Sequence, residues 1–348
     1  MMFHAKKTIL VTGASGVVGT ALLPELDQHQ VIALTHRQLP RGRIQAVHGD
    51  LTQPFLGIDR AVYRGLAKQV DTIIHCAAVT DFAAGAQTSS ELNVRGTEHL
   101  LQFAADANAT FHYVSTAFVA RDDMTRKQIG EAAANPTDYL VSKRRAEQLV
   151  RGASVPTTIV RPSVVIGDSR TGEAANFQGL HSLTNAVLKN ALPLLPLDPD
   201  SRIDFVPQDV VARAIAGLVN DDVDAGEYWA TAGDAATTVR RMIDTAVTAG
   251  QQLGIDVVPP RLVQPAMIDR LVRPVFISPL PPDLRRKFDD MLTMTALFAG
   301  AEPFPTSLPD MPGVSSLTET ELDMAFAASV EYLACAKKIA SRPVEAVA

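Results

Sequence analysis

The chain has 348 residues, a formal net charge of −6 and 47% hydrophobic residues, a composition that excludes global disorder and argues against a nucleic-acid partner, which would require a basic surface. No run of roughly 18–20 apolar residues predicts a membrane span. Since there are only two cysteines, eight histidines without metal-ligand spacing and no apolar leader after Met1, we expect no disulfide framework, no metal site and a cytoplasmic location.

The first 165 residues alternate between short apolar runs and longer helical patterns. Strands are predicted at residues 8–12, 31–35, 44–47, 72–75, 111–115 and 157–160. These runs are apolar on both faces, which is typical of parallel strands covered by helices. Helices, the first of them kinked or shortened by Pro24, are predicted at residues 17–28, 58–69, 90–106 and 138–152. The alternation predicts an α/β fold of the Rossmann type, with a doubly wound parallel sheet.

Beyond Arg161-Pro162 the pattern is looser, with clusters of glycine, proline and aspartate. Helices are predicted at residues 180–190, 239–252, 282–299 and 318–339, a strand followed by a helix at 205–220, and a late strand at 228–231. We therefore expect a cofactor domain formed by residues 1–170 and 206–233. The other residues, 171–205 and 234–348, should form a smaller, mostly helical C-terminal substrate lobe.

A glycine-rich loop follows the first predicted strand and opens the first helix. It reads Gly13-Ala14-Ser15-Gly16-Val17-Val18-Gly19. Gly13 permits a tight turn, Gly16 allows the backbone to approach a pyrophosphate, and Gly19 allows the helix to pack closely on the strand. The helix amino terminus presents free N–H groups to the phosphates. Because the glycines lie in a strand–loop–helix context, they predict dinucleotide binding rather than an incidental turn.

The end of the second strand bears on the choice of dinucleotide. It reads Leu34-Thr35-His36-Arg37 and lacks the carboxylate that usually holds the ribose hydroxyls of NAD. Arg37, with His36 beside it, is a candidate for binding a 2′-phosphate, so NADP(H) is the predicted cofactor. Asp50, followed by Leu51 after the third strand, could accept a hydrogen bond from the adenine amino group or cap the next helix.

Tyr139 and Lys143 lie four residues apart in a predicted helix and therefore share one face. A free tyrosine titrates near ~10 and is a poor proton shuttle at neutral pH. A lysine ammonium beside it favours the phenolate, which lowers the tyrosine pKa. Tyr139 is thus a candidate general acid–base that gives a proton to a substrate oxygen as hydride reaches the carbon. Lys143 is a candidate ligand of the nicotinamide ribose.

Two hydroxyl residues, Ser115 and Thr116, end the fifth predicted strand. Ligands of doubly wound sheets bind at the carboxyl ends of strands. Either hydroxyl could orient a substrate oxygen toward Tyr139, and Thr116 is the preferred candidate. His75 and Cys76 end the fourth strand, where packing beside the cofactor is a better interpretation than catalysis.

These motifs resemble, in their order, the extended short-chain dehydrogenase/reductase superfamily. Besides the glycine loop and the Tyr–Lys pair, the matching segments are His75-Cys76-Ala77-Ala78, Asn93-Val94-Arg95-Gly96-Thr97, Ser115-Thr116 and Arg161-Pro162. Within the superfamily, the chain is most similar to the branch of fatty acyl-CoA reductases, male-sterility proteins and thioester reductases, through residues 114–119 and 198–209. Gln208 departs from the aliphatic residue that is usual in that branch. The resemblance covers about residues 8–233.

The resemblance implies further cofactor contacts from Cys76, Ala77, Ala78, Asn93, Lys143, Pro162 and Val164. It also implies NADPH-dependent reduction of an acyl thioester to an aldehyde, or on to an alcohol, with Thr116 and Tyr139 stabilising the oxyanion. The length leaves no room for an adenylation or carrier domain, so the thioester should arrive on CoA or on a separate carrier protein. A homodimer formed through a helix pair is expected by analogy with the fold.

Three functions compete for these residues. An NADPH-dependent reductase of a thioester, aldehyde or ketone agrees with Arg37 and with the missing carboxylate. A nucleotide-sugar epimerase or dehydratase with bound NAD would share Tyr139 and Lys143 but normally needs an acidic ribose ligand. A non-catalytic NADP-sensing regulator on the same fold has no need for the Tyr–Lys pair. The sequence therefore favours the reductase.

Overall fold

The protein is described here from a computed structural model. The structure describes residues 5–40, 42, 44–82, 84–121, 136–177, 179–264, 273, 278, 279, 281, 282, 285, 289, 293 and 297–340. Over these residues, no helix combines the length and the apolar character that crossing a membrane requires.

Seven parallel strands form the central sheet. They are β1 (Thr8–Thr12), β2 (Gln30–Thr35), β3 (Gln45–His48), β4 (Thr72–His75), β5 (Thr110–Val114), β6 (Thr157–Pro162) and β7 (Ala225–Ala230). Their order across the sheet is β3-β2-β1-β4-β5-β6-β7, and each neighbouring pair is parallel. The order reverses between β1 and β4, which is where such sheets form a ligand-binding crevice at their carboxyl edge.

The described helices lie on both faces of this sheet and in the second half of the chain. They are α1 (Val17–Glu25), α2 (Arg60–Ala67), α3 (Gly85–Ser89), α4 (Gly96–Ala107), α5 (Pro136–Arg151), α6 (Leu180–Leu188), α7 (Gln208–Asn220), α8 (Val239–Gln252) and α9 (Glu319–Ala336). Ile9 and Val11 of β1 belong to a core with α1 and α7, whereas Leu10 belongs to a core with α2, α4 and α5. Because strand side chains alternate between faces, a fully apolar strand fills both cores, as the sequence predicted.

The predicted elements of the first half are confirmed, with strand bounds shifted by one or two residues. The first helix ends at Glu25 rather than residue 28 because Pro24 removes a backbone donor from its last turn. The helix predicted at residues 90–106 begins earlier. Helix α3, a π-helical turn at Ser90–Arg95 and α4 follow one another without a break.

The second half forms short strands and helices around a separate core. Helices α6, α8 and α9 contribute its buried apolar side chains. The short strands are Val164–Ile166, Leu194–Leu195, Arg202–Ile203, Phe205–Pro207, Thr237–Thr238, Arg261–Leu262 and Ala299–Gly300. Most of the helix predicted at residues 282–299 lies outside the described residues, and its last residue is in a strand instead. The division into a cofactor domain and a substrate lobe stays a prediction.

A buried histidine in β5 should make the folded protein less stable at acidic pH. His112 lies 2.7 Å from the Thr158 hydroxyl through Nδ1, and burial, with the charge of Lys7, lowers its pKa to about 3. The unfolded histidine binds a proton below about pH 6.5, whereas the folded one does not, so stability is lost as pH falls. The His112→Gln variant keeps a hydrogen-bonding group but does not titrate. Between pH 7 and pH 5 we expect its free energy of unfolding to fall by about 2 kcal/mol less than that of the wild type. Urea unfolding at both pH values measures this, and equal losses would contradict it.

Candidate active site

A cavity of about 490 Å³ opens at the carboxyl ends of β1, β4, β5 and β6. Many of the sequence-predicted site residues line it, namely Gly13, Gly16, Val17, Val18, Gly19, Cys76, Ala78, Ser115, Thr116, Tyr139, Lys143, Pro162 and Val164. The glycine loop and the Tyr–Lys pair are far apart in the sequence, and the sheet topology brings them to one space. Asp81 and Phe82, in the loop after β4, also line this cavity.

The three glycines of the loop differ in what the fold demands of them. Gly13 has a φ of +69°, and a Cβ there would lie 2.6 Å from the backbone nitrogen of Ala77. A Cβ on Gly19 would overlap the Gly13 carbonyl oxygen, which fits its predicted packing role. Gly16 is the N-cap of α1 and lines the cavity. Its missing side chain therefore leaves the helix amino terminus open to a ligand.

The buried side chain of His75 forms a hydrogen bond with Thr12, the residue directly before the glycine loop. Its Nδ1 lies 2.7 Å from the Thr12 hydroxyl and its Nε2 3.1 Å from the Thr97 hydroxyl. Thr97 donates to the Asn93 carbonyl at 2.7 Å, so its oxygen accepts from Nε2–H and Thr12 donates to Nδ1. Burial, with the nearby charge of Lys143, lowers the pKa of His75 to about 3. A neutral imidazole that is hydrogen-bonded through both ring nitrogens agrees with a packing role rather than a catalytic one.

Tyr139 lies in the first turn of α5 and is 8% exposed. Burial raises its pKa to about 12, and a hydrogen bond with Thr116 opposes the rise. The predicted lowering of this pKa is wrong here, because the loss of solvation outweighs the hydrogen bond with Thr116. The phenol is therefore protonated at neutral pH and is suited to donate a proton. Its ring centroid lies 5.4 Å from that of Phe82.

Lys143 lies one turn after Tyr139 and is 2% exposed. Its Nζ donates to the Val114 carbonyl at 2.8 Å and lies 4.3 Å from the centroid of the Tyr113 ring. Burial lowers the pKa of Lys143 to about 7, although Glu147 and Cys76 act in the opposite direction. A buried lysine with so few hydrogen-bond acceptors costs stability, which is typical of a side chain retained for function.

A buried ion-pair network continues from Lys143 along α5. Glu147 accepts two hydrogen bonds from Arg161, both of 2.8 Å, and Arg161 also donates to Glu227 of β7 at 2.6 Å. Burial raises the pKa of Glu147, but the hydrogen bonds and the charge of Arg161 bring it below its usual range. The network thus joins α5, β6 and β7 directly behind the Ser115 and Lys143 side of the cavity.

We expect Glu147→Gln to lower the free energy of unfolding by about 3 kcal/mol or more, because it leaves the Arg161 guanidinium buried without its bidentate partner. The matched control is Glu319→Gln, which removes a carboxylate paired with Arg241 at 2.8 Å on the surface and should cost less than about 1 kcal/mol. Urea unfolding measures both. Equal losses in the two variants would contradict the assigned role of the network.

His36, Arg37 and Asp50 lie together at the edge formed by β2 and β3, outside the cavity lining. The positive charges of His36 and Arg37 contribute to a lowered Asp50 pKa. Burial of Asp50 acts against this lowering, while hydrogen bonds from Thr52 are its main cause. Asp50 Oδ1 accepts from the Thr52 nitrogen at 2.9 Å and from its hydroxyl at 2.8 Å. These bonds close a local turn. The next helix, α2, is capped by Asp59, so the prediction that Asp50 caps it is wrong, and the adenine contact of Asp50 stays a prediction.

Asn93 is another predicted cofactor ligand that does not line the cavity. It lies in the π-helical turn, where its side chain accepts from the Val79 nitrogen at 2.8 Å and donates to the Ser142 hydroxyl at 2.9 Å. Ser142 donates in turn to the Tyr139 carbonyl at 2.7 Å. Asn93 thus ties the loop after β4 to α5. The other predicted ligands outside the lining are Ala14, Ser15, Leu51 and Ala77.

Sequence reasoning missed the part of the cavity that comes from the second half of the chain. Asn176, Gly179 and Ser182 line it from the segment that leads into α6, and Leu297 and Phe298 line it from the far side. No motif marks these residues, and only the folded topology brings them to the site. Arg144 of α5 is half-buried and donates to the Val119 carbonyl at 2.9 Å.

Comparisons with known proteins find similarity to one family and to much larger synthetases. Residues 25–215 match the sequence model of a family of NAD-binding domains that is described as male sterility protein. The hybrid PKS-NRPS synthetase poxE of Penicillium oxalicum is 30% identical over 235 residues, which cover 61% of this chain and 6% of the synthetase.

Solved structures share the fold over nearly the whole chain. The terminal R domain from the myxalamid PKS-NRPS biosynthetic pathway has a TM-score of 0.71 at 22% identity, covering 99% of this chain and 94% of the domain. A thiolation-reductase di-domain from an archaeal non-ribosomal peptide synthetase has a TM-score of 0.71 at 16% identity, covering 97% of this chain and 76% of the di-domain. The predicted Rossmann-type fold is confirmed.

Proposed function

The chain belongs to the male sterility protein family, as its motifs predicted, and from this premise we propose that it is an NADPH-dependent oxidoreductase that reduces an acyl thioester. The observation that carries the proposal is one cavity lined by the glycine loop, Thr116, Tyr139 and Lys143. The likeness to a PKS-NRPS synthetase and to a terminal R domain supports a thioester as the substrate.

The residues around the cavity fit a dinucleotide. Gly13, Gly16 and Gly19 leave the amino end of α1 open to a pyrophosphate. Lys143 would hold the nicotinamide ribose, and Arg37 would hold the 2′-phosphate at the edge of the sheet. The cofactor, when bound, supplies the hydride.

The protein's part in the reaction is to polarise the carbonyl and move one proton. Thr116 and Tyr139, which hydrogen-bond each other, would donate hydrogen bonds to the thioester oxygen and stabilise the charge that develops there. Tyr139, protonated at neutral pH, then donates its proton to that oxygen. When the carbonyl re-forms, the hydroxyl returns its proton to the phenolate of Tyr139 and the C–S bond breaks. The sulfur leaves as a thiolate, which takes its proton from solvent.

We propose that the acyl group arrives on CoA or on a carrier protein. The thiolation-reductase di-domain, in which a thiolation domain accompanies the reductase, supports the carrier. A homodimer formed through a helix pair remains our proposal from the fold, and light scattering of the purified protein tests it.

An NADPH-oxidation assay at 340 nm against acyl-CoAs, carrier-bound acyl groups, aldehydes and ketones tests the proposal. We expect oxidation with thioesters, accompanied by free thiol. Activity with ketones and none with thioesters would overturn it. Protein purified with stoichiometric NAD that consumes no NADPH would indicate an epimerase or dehydratase instead.

The cofactor preference has its own test at Arg37. We expect Arg37→Ala to raise the KM for NADPH by about 10–100-fold and to leave the KM for NADH nearly unchanged, because a charge-assisted contact to the 2′-phosphate is lost. Arg64→Ala, on the surface of α2, is the matched control and should change neither value. A wild-type protein that prefers NADH, or an Arg37→Ala protein that loses both cofactors equally, would contradict the NADPH assignment.

A further inference from the structure

We propose that Lys143 is a second reactive group of this cavity, and that it condenses with an aliphatic aldehyde to form a reversible imine when no dinucleotide is bound. Since Lys143 holds the nicotinamide ribose in the proposed function, an adduct on its amine would block the cofactor. The inference goes beyond that function, which supplies an aldehyde only as its product. Aldehyde added to the protein tests the imine without any reduction of a thioester.

The surroundings of the Lys143 amine favour its uncharged form. The side chain is 2% exposed, and its Nζ lies 4.3 Å from the centroid of the Tyr113 ring, a phenol that burial keeps uncharged by raising its pKa well above the ordinary value. Among the described residues, the acceptor of its hydrogen bond is the Val114 carbonyl, at 2.8 Å. A neutral amine makes this bond and keeps its lone pair, whereas an ammonium has two further N–H groups to satisfy.

Charged groups do not compensate for this burial. Glu147, one turn further along α5, binds Arg161 with both carboxylate oxygens, and no described acidic residue forms an ion pair with Lys143. At the end of β4, burial lowers the pKa of His75 to about 3 and raises that of Cys76 to about 12, so both side chains are uncharged. Burial lowers the pKa of Lys143 to about 7 against the opposing charge of Glu147. About half of the Lys143 side chains are then neutral and nucleophilic at pH 7.

The cavity also contains the groups that bring an aldehyde to this amine. Lys143, Thr116 and Tyr139 line it together, and the exposed lining residues Asn176 and Ser182 open it to solvent. The phenol of Tyr139 is protonated at neutral pH because burial raises its pKa to about 12. It can therefore polarise the oxygen of an aldehyde as it does that of a thioester in the proposed function.

The condensation needs no oxidant or reductant. The amine nitrogen forms a bond to the aldehyde carbon, and the carbonyl oxygen takes the proton of Tyr139. The nitrogen releases one proton to solvent, from which the phenolate regains one. The lone pair of the nitrogen then forms the C=N bond, the C–O bond breaks, and the oxygen leaves as water with a second proton from Tyr139. The nitrogen gives its last proton to solvent and the phenolate again regains one, which leaves the imine.

Trapping with hexanal and cyanoborohydride tests the inference, because reduction of an imine leaves a hexyl group that peptide mapping by mass spectrometry locates. At pH 7 we expect Lys143 to be labelled at least about 10-fold faster than Lys189, an exposed lysine after α6, since far more of its amine is neutral. Saturating NADP+ should slow labelling of Lys143 by at least about 10-fold and leave Lys189 unchanged. Labelling of Lys143 that is no faster than that of Lys189, or that NADP+ does not slow, would overturn the inference.

The pH dependence of trapping identifies the cause of the reactivity. The rate at Lys143 should level off above about pH 7, whereas the rate at Lys189 should rise until about pH 10. In urea, where both lysines are solvated, the two rates should follow the same pH dependence. A rate at Lys143 that keeps rising to pH 10 in the folded protein would contradict a neutral amine and overturn the inference.

Calorimetric titration with NADP+ measures the blocking of the cofactor. Hexanal should raise the apparent Kd of the wild type and of the control Lys189→Met in proportion to its concentration, as a competitor does. Lys143→Arg keeps a cation but cannot form an imine, so its Kd should not depend on hexanal, and Lys143→Met makes the same comparison if that variant does not fold. A wild-type Kd that hexanal leaves unchanged would overturn the inference.

The imine and the reductase function fail separately. A protein that reduces thioesters but gives no hexyl adduct at Lys143 would reject the imine alone. A protein that gives the adduct but reduces no thioester would reject the reductase function and leave the imine standing.

Discussion

Replacing Tyr139 with phenylalanine lowers kcat by about 10²–10⁴-fold, the range expected when a positioned proton donor is removed. The change deletes one hydroxyl, the one hydrogen-bonded to Thr116. The ring remains, with its contact to Phe82 at 5.4 Å, so the fold and the affinity for NADPH should persist. Steady-state kinetics together with fluorescence titration of NADPH measure both quantities.

Tyr332→Phe provides the matched control for this loss. Tyr332 lies on α9, and its ring contacts Phe177 at 6.1 Å, away from the cavity lining. The same deletion there should leave kcat within about twofold, as expected for a surface substitution. A Tyr139→Phe protein that keeps more than half of the wild-type kcat would contradict the assignment of Tyr139 as proton donor.

Replacing Lys143 with methionine should abolish most activity and stabilise the fold. Burial lowers the pKa of this lysine to about 7. Burying the lysine therefore lowers the free energy of unfolding at pH 7, and an apolar side chain of similar length removes this loss. We expect the free energy of unfolding to rise by about 1–3 kcal/mol, after the lost hydrogen bond to Val114 is counted. The kcat should fall by about 100-fold or more, since Lys143 holds the cofactor ribose in our proposal.

The pH dependence of that gain identifies its cause. The unfolded lysine keeps its proton up to about pH 10.4, whereas the folded one does not, so the gain should shrink as the pH rises toward 10. Lys189→Met, at an exposed position after α6, should change stability by less than about 0.5 kcal/mol. A Lys143→Met protein that is less stable than the wild type at pH 7 would contradict the account.

The fold could be predicted from the sequence wherever local pattern and topology agree. Strands such as Thr72–His75 form as predicted because a run that is apolar on both faces has one stable place, the interior of a covered parallel sheet. The end of α1 near Pro24 was predictable for the same kind of local reason. The described residues of the helix predicted at 282–299 are helical up to Phe298, and only Ala299 is in a strand, because it pairs with Ile203.

The candidate site was predictable where a motif requires a particular residue type. Gly13, Gly19, Tyr139 and Lys143 are such residues, and the topology brings them to one cavity. The pKa of Tyr139 was not predictable, because neighbouring charge can be read from spacing but burial cannot. Leu297 and Phe298 line the cavity but carry no motif either, since their position depends on long-range packing.

The most direct test of the central claim is a single-turnover balance with hexanoyl-pantetheine and NADPH. Our account predicts that one equivalent of free pantetheine thiol and one of hexanal appear for each equivalent of NADPH oxidised, before any reduction to the alcohol. It also predicts that both products are lost together in Tyr139→Phe. Oxidation of NADPH without release of the thiol, or release of the thiol without oxidation of NADPH, would contradict it.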